Sequence, residues 1–314
     1  MPRKSHTART LAAALPALAV LLALAATGCS GSDAVEPGAA EASAPTPSAS
    51  VTDASGPATY ARYVALGDSY TAAPLVPDTD VTNGCLRSTN NYPALVAADL
   101  SGTQLVDVSC SGADSSSMVG VQQTGNQAQP PQFDALTPET DLVTVGIGGN
   151  DFDLFATLVG TCAKLRSSDP EGAPCEKRFT SGGSDRLARE LRQIRGHVAA
   201  IVAGIRDRAP KARVVVVGYP QILPPSGTCP DLLPLATGDY DYARRINEGL
   251  AQAVEQGARK ADAFVDVFGP SAGHDICSDD PWINGRETDT SRALAFHPFA
   301  EEQEALARLV LAEL

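Results

Sequence analysis

The chain is short of positive charge: 24 Lys and Arg stand against 37 Asp and Glu, leaving a net charge of −13 over 314 residues. Such a balance repels phosphate backbones and excludes nucleic acid as an expected partner. No Lys/Arg cluster is evident in the sequence, so a polybasic patch for anionic lipid is not expected. Internal repeats, a phosphate-binding loop and a dinucleotide fingerprint at the first strand are also missing. No His/Cys/Asp grouping has the short spacings of a metal site, and no cofactor is expected. What the chain does have is apolar residues, 43% of the total. That is enough to bury a sizeable core and excludes disorder of the whole chain.

A run long enough to span a membrane is missing as well. The apolar stretch Leu11 to Ala26 contains Pro16 and falls short of the roughly 20 residues a spanning helix needs. Arg3, Lys4 and Arg9 precede it, and Ala26-Thr27-Gly28-Cys29 follows at its end. Residues 1–28 therefore read as a bacterial secretion leader. The small residues before Cys29 resemble a lipobox, although Ala26 stands where such sites usually carry leucine. Seven cysteines leave one over in an exported chain, and acylation of Cys29 accounts for it. The other six suit an oxidising compartment. Loss of the leader takes the net charge to −16. Residues 29–59 are Ala, Ser, Pro, Gly and Thr with scattered acids and read as a disordered tether. The expectation is a cell-envelope lipoprotein on the outer face of the cytoplasmic membrane, monomeric, attached only through Cys29. One folded domain should occupy residues 60–314.

Within that domain strand and helix patterns alternate. Apolar strands are read at Tyr63–Leu66, Gln104–Val108, Leu142–Ile147, Arg213–Gly218 and Ala263–Val267. Helices are read at Tyr92–Leu100, at Ser184–Arg208 with Ser184 as N-cap and Pro210 beyond, at Tyr240–Ala261, and after Pro298. This order predicts an α/β fold, a three-layer α/β/α sandwich around a mostly parallel sheet. Ligands of such sheets bind outside the carboxyl ends of the strands. Three segments fall there: Gly67-Asp68-Ser69-Tyr70, Ser109-Cys110-Ser111-Gly112 and Gly148-Gly149-Asn150-Asp151. A fourth, Phe296-His297-Pro298, precedes the last helix. A serine just past a strand, at a helix N-terminus, has an exposed hydroxyl beside backbone N–H groups able to stabilise an oxyanion.

Gly67-Asp68-Ser69, Gly112, Gly148-Gly149-Asn150-Asp151 and His297-Pro298 together resemble the four sequence blocks of the SGNH (GDSL-type) hydrolase family. The likeness runs from about Tyr63 to the C-terminus and implies the flavodoxin-like fold of that family. It implies Ser69 as nucleophile and His297 as general base. The oxyanion hole would be the Ser69 and Gly112 backbone N–H groups and the Asn150 side chain. The implied activity is extracellular ester hydrolysis, lipase- or esterase-like, through an acyl-serine intermediate without a cofactor. An acyltransferase using the same residues is an alternative, and the tether, with an acid missing before His297, leaves a non-catalytic lipid- or glycan-binding surface lipoprotein as another.

The family usually carries an aspartate three residues before the histidine, where this chain has Leu294. The expectation is a Ser–His dyad whose imidazole N–H meets a backbone carbonyl, Leu294 being the candidate, with Asp289 as an alternative carboxylate. The cysteines are similar to those of secreted Streptomyces-type esterases and lipases. That subgroup implies Cys85–Cys110, Cys162–Cys175 and Cys229–Cys277, whereas sequence alone permits fifteen pairings. Each bridge typically adds about 2–4 kcal/mol. Gly269-Pro270-Ser271-Ala272-Gly273 matches the nucleophile elbow of α/β-hydrolases, but loop-forming residues follow it where that elbow needs a helix. Trp282 is read as lining the acyl site or the core, His197 as a satisfied structural residue among aliphatic neighbours, and Asp68 as a helix-start residue. The loops after Cys110, around Cys162–Cys175 and from Pro220 to Gly238 should shape the acyl pocket.

Overall fold

A computed structural model describes residues 59–314. The leader, Cys29 and all but the last residue of the tether lie outside the described residues. The sheet has five strands: β1 (Arg62–Gly67), β2 (Gln104–Asp107), β3 (Leu142–Gly146), β4 (Arg213–Val217) and β5 (Ala263–Val265). Their spatial order is β2-β1-β3-β4-β5, and every adjacent pair is parallel. This is the doubly wound order with its switch point between β1 and β3, where the two neighbouring strand ends open a crevice.

Alternation along the strands explains the layering. Val214 and Val216 of β4 face one buried cluster, and Val215 and Val217 face the other. The first cluster is closed by two long helices, α3 (Arg186–Arg208) and α4 (Asp239–Gly257). The opposite cluster is closed by α2 (Tyr92–Asp99) and α5 (Ala300–Ala312), and α1 (Ser69–Ala72) is a single turn at the end of β1. Helix α3 shows why the sequence folds this way. Leu187, Leu191, Ile194, Val198, Ile201 and Ile205 recur at helical spacing and are all buried. Its N-cap is Asp185, whose carboxylate accepts from the Ala188 N–H at 3.0 Å, so Ser184 lies one residue outside the helix.

The same helix corrects one expectation. The cations are not spread evenly: residues 163–213 hold 12 Lys and Arg against 6 Asp and Glu. On the helix itself Arg186, Arg189, Arg192 and Arg195 recur every three residues instead of forming a run.

Three disulfides join Cys85 to Cys110, Cys162 to Cys175 and Cys229 to Cys277. The first ties the loop ahead of α2 to the end of β2. The second fastens a π-helical turn, Thr157–Cys162, to a short helix, Pro174–Thr180.

Candidate active site

Ser69 stands at the first position of α1, directly after β1. Asp68 caps that turn: its carboxylate accepts from the Tyr70 N–H at 2.9 Å. The tight exit from the strand depends on Gly67, where a Cβ would lie 2.2 Å from Thr71 Oγ1 and 2.8 Å from the Gly146 carbonyl oxygen. The neighbouring strand ends are drawn to this point. The Asp68 N–H donates to Gly146 O of β3 at 3.1 Å, and the Cys110 N–H donates to Gly67 O at 3.0 Å. Ser69, Gly112 and Asn150 thus meet at the switch point because three adjacent parallel strands end there.

Gly112 takes φ +78°, a left-handed conformation that side chains rarely adopt. Among the described residues no acceptor takes the backbone N–H of Ser69 or of Gly112. The Asn150 amide donates one of its hydrogens to Ala113 O at 2.9 Å, which fixes the group and leaves its second hydrogen available. Together these are three donors suited to a developing negative charge.

His297 arrives from the other end of the chain. Its Nε2 lies 2.9 Å from Ser69 Oγ, and its Nδ1 lies 2.7 Å from the carbonyl oxygen of Ala295. A carbonyl only accepts, so Nδ1 carries the hydrogen and the Nε2 lone pair faces the serine hydroxyl. The orienting acceptor is therefore Ala295. The Leu294 carbonyl instead accepts from the His297 backbone N–H at 3.1 Å, and the Asp289 carboxylate is engaged by Ser291. Phe296 makes this possible by taking φ +60°, which turns the chain back so that Ala295 O faces the ring. Its own carbonyl is held by the Tyr70 hydroxyl at 2.9 Å. Asn284 pins the loop from the other side, its amide donating to the carbonyls of Ala293 (3.0 Å), Leu294 (3.2 Å) and Glu287 (2.9 Å).

Electrostatics follow from this packing. Desolvation disfavours the imidazolium and pushes the His297 pKa down to about 4, with the Ala295 carbonyl offsetting only part of the effect. Burial raises the Asp68 carboxyl to about 7, although the hydrogen bonds from Tyr219 and Tyr70 oppose the rise. Tyr219 was not singled out by the sequence. Its hydroxyl donates to Asp68 and accepts from the Gly149 N–H, so one ring joins the Ser69 turn to the Asn150 loop.

A second tie lies beneath Asn150. Asp151 accepts from the Ser115 N–H and hydroxyl, both at 2.7 Å, and lies 2.6 Å from His197 Nδ1. His197 is thus a satisfied structural residue of α3, as read from the sequence, with Asp151 as its partner.

An apolar cleft adjoins Tyr70 and is walled by Leu154, Phe155, Leu158, Tyr219 and Ile222, with Leu250 from α4. Of the three loops expected to shape it, only the start of Pro220–Gly238 contributes. The main wall comes from the helical run before Cys162. Trp282 is absent from it, stacking on His274 with ring centroids 4.3 Å apart. Ser271 is fully buried. Its hydroxyl donates to Phe268 O at 3.0 Å and accepts from the Gln221 N–H at 2.8 Å, so it is committed to its own loop. Among the described residues no group of three or more His, Cys, Asp or Glu is placed to hold a metal ion.

The GDSL-like Lipase/Acylhydrolase family model matches residues 65–304. Lipase 2 of Streptomyces coelicolor is 40% identical over 220 residues, covering 68% of this chain and 72% of its own. A lipase of Streptomyces rimosus is 32% identical over 247 residues, 77% of this chain and 82% of its own. Among solved structures, phospholipase A1 from Streptomyces albidoflavus superposes with a TM-score of 0.67 at 28% identity, covering 82% of this chain and all of that one. The extracellular lipase of Streptomyces rimosus gives a TM-score of 0.65 at 29% identity, covering 81% and 98%. The fold, the family match and these relatives agree: the chain is an ester hydrolase and belongs to the GDSL-like lipase/acylhydrolase family.

Proposed function

We propose that this hydrolase acts through an acyl-Ser69 intermediate, with Ser69 and His297 working as a dyad. The observation that carries the proposal is the pair of contacts made by one ring, Nε2 to Ser69 Oγ and Nδ1–H to Ala295 O. In the first half-reaction Nε2 takes the hydroxyl proton as Oγ bonds to the acyl carbon. The carbonyl electrons move onto oxygen, where the N–H groups of Ser69 and Gly112 and the Asn150 amide stabilise them. Collapse expels the alcohol, which leaves with the proton held by His297. Water then repeats the sequence and frees the acid. The apolar side chains beside Tyr70 would flank the acyl group. The cleft between them holds only about 10 Å³, so an acyl chain needs Leu154, Phe155 and Leu158 to part. A lipid ester or a small carboxylic ester is the substrate class.

Export completes the proposal. Residues 1–28 direct secretion, Cys29 carries the lipid anchor, and residues 29–59 tether the domain of residues 60–314. The extracellular lipase among the relatives supports secretion, and the six paired cysteines suit an oxidising compartment. The active form is a monomer.

The test is labelling of the purified protein with a fluorophosphonate, followed by peptide mapping. The expected adduct sits on Ser69, is abolished by Ser69→Ala and is strongly slowed by His297→Ala. An adduct elsewhere, or none on an active preparation, would overturn the dyad.

A further inference from the structure

Half of the chain's 24 Lys and Arg fall within residues 163–213 of an otherwise acidic protein. Arg206 and Lys211 pair with Asp262 and Asp141, and Arg213 donates to the Glu313 carbonyl. On α3 the apolar residues face the sheet, and Arg189, Arg192 and Arg195 stand exposed on the other side. Among the described residues none of these three has a carboxylate partner; their hydrogen bonds go to neutral oxygens of Ser184, Ala188 and Gln256. Lys177 and Arg178 are likewise exposed and without an ion-pair partner among the described residues. They edge a groove of about 710 Å³ whose apolar lining includes Leu165, Pro174 and Phe179. Arg186 also lines it, paired to Glu190 at 3.0 Å and stacked over Phe179 at 5.0 Å. The one carboxylate on the wall, Asp169, accepts from the Gly172 N–H.

From these observations we infer that this face, Arg189, Arg192 and Arg195 with the Lys177–Arg178 groove, docks the hydrolase onto an anionic lipid surface. Charge complementarity selects an anionic partner, and the groove selects an amphiphile. Phosphate-type headgroups meet the guanidinium and ammonium groups, while the half-buried Leu165 and Pro174 offer apolar surface that a soluble polyanion would leave uncovered. Placement favours the same occupant. The helical run that walls the apolar cleft with Leu154, Phe155 and Leu158 continues to Leu165 at the groove, so docking here brings the cleft close to the lipid layer. The inference does not depend on which residue is the nucleophile.

Vesicle flotation tests it, using the chain with Cys29→Ser so that no lipid anchor contributes. At about 50 mM salt the protein should float with phosphatidylglycerol vesicles but not with phosphatidylcholine vesicles, and release at about 500 mM. Replacing Arg189, Arg192 and Arg195 by Gln should weaken binding about a hundredfold, roughly fivefold per cation, while hydrolysis of a soluble short-chain ester stays unchanged. Equal binding to the two vesicle types, or a triple variant that binds like the parent, would overturn the inference. So would preferential capture on soluble poly(glycerol phosphate) over vesicles, which would identify an anionic polymer as the partner.

Discussion

The serine side and the histidine side of the candidate site are built by opposite means. Ser69, Gly112 and Asn150 sit at the ends of three adjacent parallel strands, and their backbones are fixed by sheet register and by the Asp68–Tyr219–Gly149 link. His297 sits in an irregular stretch between β5 and α5, with no strand or helix to place it. Its position comes from side chains gripping backbone, Asn284 on three carbonyls and Tyr70 on the Phe296 carbonyl. One half is placed by the core and the other by a few local hydrogen bonds. Damage to the first should register in both stability and rate, and damage to the second mainly in rate.

Substitutions can break that contrast directly. Asn150→Ala removes an oxyanion donor and its tie to Ala113, and should lower kcat by about 10²–10³-fold with little change in KM. Asn284→Ala removes no reacting group. By loosening the imidazole it should lower kcat by about 10–100-fold, with the thermal midpoint nearly unchanged. Steady-state kinetics alongside thermal melts would separate the two, and a large loss of stability in Asn284→Ala would erase the distinction.

Proton binding sharpens it further. In the proposed dyad His297 must be neutral to accept the serine proton, and burial holds its pKa down to about 4. The acidic limb of kcat/KM should therefore lie near pH 4, below the ordinary imidazole range, with activity flat above it to neutrality. A limb near pH 6.5 would mean that the ring is not desolvated as described. The linkage sign follows. Below pH 6.5 the unfolded chain takes up this proton before the folded one does, so His297 lowers stability as pH falls from about 6.5 to 4.

The smallest effect belongs to the helix that follows the histidine loop. Glu302 of α5 is fully buried, and desolvation raises its pKa to about 8. Its contribution is present below the unfolded value and is lost as pH rises through about 8. Glu302→Gln should match the parent at pH 5 and melt a few degrees higher, on the order of 2–4 °C, at pH 9. An unchanged difference across that range would show that the carboxyl is not neutral when folded.

Much of the serine side was legible in the sequence because each block follows an apolar strand. Leu142 to Ile147 running into Gly148-Gly149-Asn150 locates a strand end without knowledge of tertiary contacts. The histidine side was legible only by resemblance. The choice of Ala295 over Leu294 rests on a left-handed residue at Phe296, a type for which no glycine signal exists. Tyr219 and the Asp151–His197 contact were invisible because their partners lie 151 and 46 residues away. The cationic face, by contrast, left a usable signal. Arg186, Arg189, Arg192 and Arg195 recur every three residues, which on a helix is one drifting stripe and not a scatter.

The distance between serine and histidine along the chain sets a timetable. They are 228 residues apart, and Gln303, beyond both, holds the Tyr70 carbonyl and the Tyr92 N–H that frame the nucleophile turn. A ribosome adding about 5–20 residues per second makes the serine on the order of 10–50 s before the histidine that would activate it. If the proposed dyad holds, the growing polypeptide carries a nucleophile with no base throughout that interval. With that dyad, activity would be withheld until the histidine loop and Gln303 have both been made, and a chain cut short before them would be inactive.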